Sequence, residues 1–356
     1  MKRTAMAITA ALGLAIAAAP ASAADYGKRE FKVVGTWGNL DQWKKFESTF
    51  WQKTLPEVTD GALTANAKPY TELGLSGFEV VRLLSLGVYD AVHGLSGYTS
   101  QDSPAMEGVD LAAIVPDVPT FEKVLNAYRP ILARELGEKY NAKMLALYYW
   151  PSQQLYCNLG DKSKTNVTLE DLKGKKVRSY ATTHGDFIEA VGGTPVTIAF
   201  AEVVPALQKG VVDCGLTGTL PSYSAKWYQV ATHNIQVRIG YTSTYVAMNK
   251  NTWESLTPDA QKMFEDQMAI WEENTWRETK ASDSVGIACG TTGPCPYGEP
   301  GGMVPVEFSD EEQDKLKDLV GEYVLNRWAE RCGTQQCVDE WNETVGSIVG
   351  MTAKLP

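Results

Sequence analysis

The side chains able to do covalent chemistry are few and scattered. Three histidines, His93, His184 and His233, stand far apart in the chain. The G-x-S-x-G nucleophile turn, the H-E-x-x-H zinc helix, the Walker phosphate loop and the dinucleotide glycine fingerprint are all absent. No C-x-x-C occurs, which removes the usual dithiol redox motif. Binding without catalysis is the default reading, and no cofactor or metal is called for. An exported hydrolase or lyase with a site gathered around His93 or His184 is the rival from another class.

Six cysteines form another chemical set. Cys289 and Cys295 enclose Gly and Pro turn residues, and Cys332 and Cys337 enclose a similar short loop. Neither spacing is C-x2-C and no His lies near, so disulfides are favoured over zinc. Cys157 and Cys214 are then left to each other by elimination. Oxidised thiols need an exporting chain, and the N-terminus supplies one. Lys2 and Arg3 precede an apolar run over 5–19 that is too short to span a bilayer, and Pro20 and Ala21-Ser22-Ala23 follow. The reading is a signal peptide over 1–23, cleaved after Ala23, and a periplasmic protein.

The 356 residues are 44% hydrophobic and 21% charged, which excludes a disordered chain and suggests two lobes. With 33 basic against 43 acidic residues the net charge is −10, so nucleic acid is not an expected partner. Strand signals at 30–37, 63–69 and 88–94 alternate with helical runs at 40–55 and 77–87, the pattern of an α/β domain. The alternation restarts near Trp150: a capped turn and strand over 168–180, a helix over 201–209, a strand over 211–216. Thr257-Pro258-Asp259 opens a helix expected to run to about Ser282. A Gly/Pro-rich loop follows over 286–302. The Ser309 capping box then starts a helix whose apolar residues are Leu316, Leu319, Val320, Tyr323 and Val324.

Three segments, in order, carry a family resemblance. Residues 169–213 (LEDLKGKKVRSYATTHGDFIEAVGGTPVTIAFAEVVPALQKGVVD) resemble the core motif of the DctP-type substrate-binding proteins of TRAP (tripartite ATP-independent periplasmic) transporters. Residues 69–90 (PYTELGLSGFEVVRLLSLGVYD) and 248–267 (MNKNTWESLTPDAQKMFEDQ) resemble the family's flanking segments. The resemblance implies an α/β, two-lobed periplasmic-binding-protein-like fold with a ligand cleft between the lobes and a long connecting helix. It places domain I at 24–150 and 241–280, and domain II at 151–240 and 281–356. It also implies capture of an organic acid by lobe closure and delivery to membrane permease subunits. A sensor presenting its closed form to a receptor would use the same lobes. A monomer is expected, with a dimer through the C-terminal helix left open.

The resemblance also points to site residues. Arg178 matches the arginine that clamps the ligand carboxylate, for which a planar guanidinium is well shaped. Phe200 matches an aromatic residue packed on the ligand, and Thr217 stands where many relatives have Asn. Gln154 stands about where many carry a second Arg, and Cys214 replaces a usual Gly. A missing second cation favours a monocarboxylate, or an anion with a neutral polar or aromatic body, over a dicarboxylate. Trp37, Asn39, His93 and Ser96 follow or end strands of the first lobe and are expected to line the cleft. Glu72 is a candidate for a ligand hydroxyl or amine, and Trp150 and Tyr180 add aromatic surface.

Overall fold

From residue 29 onward the strands are too apolar to leave both faces in water, so they have to be covered by helices. The computed structural model describes residues 24–237 and 239–356. The signal segment and its cleavage site lie outside the described residues.

Two sheets form, one per lobe. The first has the order β2-β1-β3-β10-β4, with β1 (Arg29–Gly35), β2 (Leu63–Pro69), β3 (Ala91–Leu95), β4 (Ala142–Trp150) and β10 (Thr242–Asn249). Strand β1 runs parallel to β2 and β3, while β10 is antiparallel to β3 and β4. The second has the order β11-β9-β5-β8-β6-β7, with β5 (Gln153–Cys157), β6 (Lys176–Ser179), β7 (Thr194–Thr197), β8 (Cys214–Gly218), β9 (His233–Ile235) and β11 (Val304–Val306). Here β6 lies parallel to both β7 and β8. Every residue of β5, β8 and β10 is buried, as strands covered on both sides require.

The chain crosses between the sheets where β4 gives way to β5 and where β9 gives way to β10. A third connection is the helix Pro258–Gly290, capped by Thr257, whose hydroxyl accepts from the Ala260 N–H. It packs on β4 in the first lobe and on the helix Thr219–Ser224 in the second. This helix continues past Ser282 because no breaker intervenes. Gly286, read from sequence as loop, is its contact point with the second lobe: a Cβ there would lie 2.3 Å from the Leu220 nitrogen. The C-terminal segment, expected whole in the second lobe, touches both. Arg327 on the helix Asp310–Cys332 pairs with Asp186 at 2.9 Å. The Trp328 and Trp341 indoles donate to the first-lobe carbonyls of Pro104 and Gly108.

All six cysteines are bonded, Cys157 to Cys214, Cys289 to Cys295 and Cys332 to Cys337. The first pair sits in register on β5 and β8. Among the described residues no helix is long and apolar enough to cross a membrane.

Candidate ligand-binding site

The carboxyl ends of the parallel strands in both sheets point into one interface, and the side chains just past those ends meet there. Trp37 follows β1 and Tyr98 follows β3. Arg178 sits on β6 with Tyr180 just beyond it, Phe200 follows β7, and Trp227 follows β8. These six form a closed circuit. Trp37 lies 5.0 Å from Phe200 between ring centroids, Phe200 stacks on Trp227 at 5.7 Å, and Trp227 lies 5.9 Å from the Arg178 guanidinium carbon. The Tyr180 ring is 5.0 Å from that carbon, Tyr98 is 5.6 Å from Tyr180, and Trp37 closes the circuit 6.0 Å from Tyr98. Trp150 and Tyr70 pack edge-on against Trp37 at 5.6 and 5.0 Å.

Arg178 is 1% exposed, which is costly for a charge. Its Nε donates to the Ile198 carbonyl at 2.9 Å and one terminal nitrogen to the Leu216 carbonyl at 2.6 Å, with the Tyr98 hydroxyl beside it. Among the described residues no carboxylate pairs with it. Burial pulls its pKa down, and the neighbouring Tyr98 and Tyr180 oppose that shift. The same burial pushes Tyr98 up to about 12, although Arg178 works in the other direction. The backbone is shaped for this packing. Arg178 stands in register with Gly215 on β8, where a Cβ would come within 2.7 Å of the Trp227 ring.

The lobes meet around this circuit. Ser100 bonds to the Thr182 hydroxyl at 2.9 Å, and the Ala112 N–H donates to the Thr183 hydroxyl at 2.9 Å. Glu107 accepts from the Thr183 N–H. A cavity of about 460 Å³ lies just outside, its wall including Tyr98, Gln101, Tyr180, Thr182 and Arg327. Tyr98 and Tyr180 therefore belong to both the circuit and the cavity wall.

Residues 34–289 match the family model described as "Bacterial extracellular solute-binding protein, family 7" (DctP). The chain belongs to that family. It is 24% identical over 209 residues to the sialic acid-binding periplasmic protein SiaP of Vibrio cholerae, covering 57% of this chain and 62% of the relative. It is 27% identical over 220 residues to the C4-dicarboxylate-binding periplasmic protein DctP of Rhodobacter capsulatus, covering 60% and 63%. The chain thus spans a little under two thirds of the length of these relatives. Among solved structures, DctP7 of Bordetella pertussis, described as an extracytoplasmic solute receptor binding pyroglutamic acid, superposes with a TM-score of 0.77 at 20% identity. That match covers 88% of this chain and 99% of DctP7. A TRAP periplasmic solute binding protein from Desulfovibrio salexigens with bound orotic acid gives 0.78 at 17% identity, covering 90% and 100%. The two-lobed α/β fold is that of these receptors.

In this family 7 chain, Arg178, Phe200, Tyr180, Trp37 and Trp150 come together as described. Thr217 is buried on β8 in register with Gln154 on β5. The Gln154 amide is engaged elsewhere: its oxygen accepts from Asn234 at 2.8 Å and its nitrogen donates to Ser152 at 3.4 Å. Ser96 is buried against Ser243 at 3.0 Å. Asn39 and Glu72 are exposed, and the Asn39 carbonyl accepts from Lys44.

His93 lies within the first lobe's core, away from the circuit. Its Nε2 accepts from the Trp51 indole at 2.8 Å, so Nδ1 carries the proton toward the Tyr148 hydroxyl at 3.2 Å. Burial drops its pKa to about 3. Tyr148 in turn donates to Glu47, whose carboxyl burial raises to about 7. His184 packs 4.5 Å from the Tyr180 ring, and burial followed by the Arg178 charge lowers it to about 3. Tyr98 and Trp227 escaped the sequence reading. Tyr98 stands three residues past the end of β3, the kind of position that singles out Trp37, whereas a helix separates Trp227 from β8.

Proposed function

We propose that this chain is the extracytoplasmic receptor of a TRAP transporter, closing its two lobes on a small organic acid and presenting it to the membrane permease. The carrying observation is Arg178: a buried cation without an acidic partner among the described residues, at the junction of two lobes, ringed by aromatic faces. Such a charge is incompletely compensated until an anion arrives, and a bidentate carboxylate is the anion its geometry suits. The molecules named with the relatives, sialic acid, C4-dicarboxylate, pyroglutamic acid and orotic acid, all carry that group.

Gln154 spends its amide on Asn234 and Ser152, so the site supplies one cation and suits a monocarboxylate better than a dianion. Phe200, Trp37, Trp150 and Tyr180 supply apolar walls, and Thr217 a hydroxyl. The protein acts as a monomer after cleavage behind Ala23 and releases its ligand unchanged. His93, with both ring nitrogens engaged inside the first lobe, is poorly placed to act as a base. The lobes follow the sheets, with the hinge at the two crossings, from β4 to β5 and from β9 to β10. The test is a thermal-shift screen of the mature chain against monocarboxylates, dicarboxylates, keto acids, sugar acids and aromatic acids. A ligand at a hundredfold its Kd adds about 2.7 kcal/mol. A shift with one class that is lost in Arg178→Ala supports the receptor reading; chemical conversion of that acid on incubation would favour the enzyme.

A further inference from the structure

The tryptophans differ in what their indole N–H groups meet. Away from the interlobe circuit five of them have an acceptor: Trp51 has His93 at 2.8 Å, Trp271 the Phe46 carbonyl at 3.2 Å, and the half-buried Trp276 the Leu147 carbonyl at 2.8 Å. Trp328 and Trp341 have the Pro104 and Gly108 carbonyls, both at 2.8 Å. Within the circuit the pattern reverses. Trp37 is 2% exposed and Trp227 0%, and among the described residues neither indole N–H has an acceptor. Trp150 shares this feature, but the Tyr148 hydroxyl lies beside it, so the argument rests on the other two.

An indole nitrogen donates and cannot accept, and a buried donor without a partner is destabilising. Packing alone does not account for such donors, because phenylalanine would give a similar face without the penalty. Beside the circuit His184 Nδ1 is also buried without a partner among the described residues, but three neighbouring hydroxyls are committed. The Tyr180 hydroxyl is bonded to Gln153 and Thr242, Tyr70 to the His93 carbonyl, and Ser96 to Ser243. The two donors come from opposite lobes, and Phe200 stands between them, 5.0 Å from Trp37 and stacked at 5.7 Å on Trp227.

We infer that Trp37 and Trp227 are specificity-determining donors, which select a small monocarboxylate carrying neutral oxygen acceptors, ring carbonyls or hydroxyls, on a flat frame. The inference rests on the Arg178 reading above and refines it: Arg178 takes the carboxylate, the aromatic faces take the frame, and the two indoles read the oxygens. A hydrocarbon acid of the same size satisfies the arginine but leaves both indoles unpaired. Sites that hydrogen-bond a ligand group reject the analogue lacking it far more strongly than apolar pockets discriminate by size.

The test measures calorimetric affinities for two matched pairs of acids, pyroglutamate with cyclopentanecarboxylate and orotate with benzoate. Each pair differs in ring oxygens and amide groups while keeping the ring size. The wild-type protein is expected to prefer the oxygen-bearing member of at least one pair by about tenfold or more. Trp37→Phe and Trp227→Phe are each expected to reduce that preference by about tenfold, leaving affinity for the hydrocarbon member within about threefold. The ratio within a pair cancels general loosening of the site, and if Trp227→Phe does not fold, Trp37→Phe carries the test. Equal affinity for both members of each pair in the wild type overturns the inference and leaves the Arg178 reading standing. Variants that weaken both members alike also overturn it. If none of the four acids binds, the inference is overturned, while the Arg178 reading is judged by the wider acid screen.

Discussion

Replacing Arg178 with Met should separate binding from folding. Among the described residues no carboxylate meets the buried wild-type side chain, so its charge is partly compensated by the Ile198 and Leu216 carbonyls, the Tyr98 hydroxyl and the faces of Tyr180 and Trp227. Burying an ion costs several kcal/mol after relaxation. Removing it recovers that penalty but takes away two charge-assisted bonds worth about 1.5–3 kcal/mol each. Met fills most of the volume. The two effects nearly cancel, so unfolding in urea should change by no more than about 2 kcal/mol in either direction. Carboxylate binding, which uses the charge itself, should fall by about 3 kcal/mol or more, over a hundredfold in Kd. Denaturant melts and calorimetric titration with the best acid from the screen would measure both. A variant destabilised by more than about 4 kcal/mol that still binds normally would make Arg178 a structural residue and not the carboxylate clamp.

Gly97 approaches the second lobe closely enough that a Cβ would lie 2.9 Å from that of Ala181. Gly97→Val should therefore wedge the lobes apart, weakening ligand affinity by about tenfold to a hundredfold; an increased radius of gyration in X-ray scattering would report the opening, and unchanged affinity would count against it. Glu47 holds its proton up to about pH 7 in the folded protein, against 4.5 when unperturbed. Its contribution to stability is complete below about pH 4.5 and lost as pH rises through 7, on the order of 3 kcal/mol in all. Glu47→Gln should flatten that part of the pH–stability curve, and an unchanged slope would remove Glu47 as its cause. Cys157 and Cys214 close a loop with a sequence separation of 57, so the Cys157→Ser/Cys214→Ser double variant should lose about 4 kcal/mol in denaturant melts. A loss below about 1 kcal/mol would mean that the strand pairing alone holds β5 to β8.

Much of the site was legible where it is local. Arg178 and Phe200 stand inside one continuous motif, and the position just past a parallel strand points into the cleft whatever the rest of the chain does. The same rule misplaced His93, because it lies within β3, where side-chain alternation turns it toward Trp51 and Tyr148. Asn39 and Glu72 also lie beyond strand ends, yet they are exposed, since short polar turns stay in water unless a partner draws them in. Trp227 is separated from β8 by the helix Thr219–Ser224, so only the tertiary fold brings it to Phe200. The helix Val118–Tyr140 did have local signals, Asp117 capping the Thr120 N–H at 2.8 Å and Asn141 in a left-handed conformation. Pro130 lies inside this helix and interrupts its apolar pattern.

Whether one carboxylate binds at Arg178 between the lobes is decided by comparing an acid with its own amide. Trp37, Trp150 and Trp227 stand at the site, so ligand arrival should perturb intrinsic tryptophan fluorescence. A saturable signal is expected with the acid, and a Kd at least about a hundredfold weaker for the matching primary amide, which keeps the shape and loses the charge. Equal binding of acid and amide would contradict a carboxylate at Arg178.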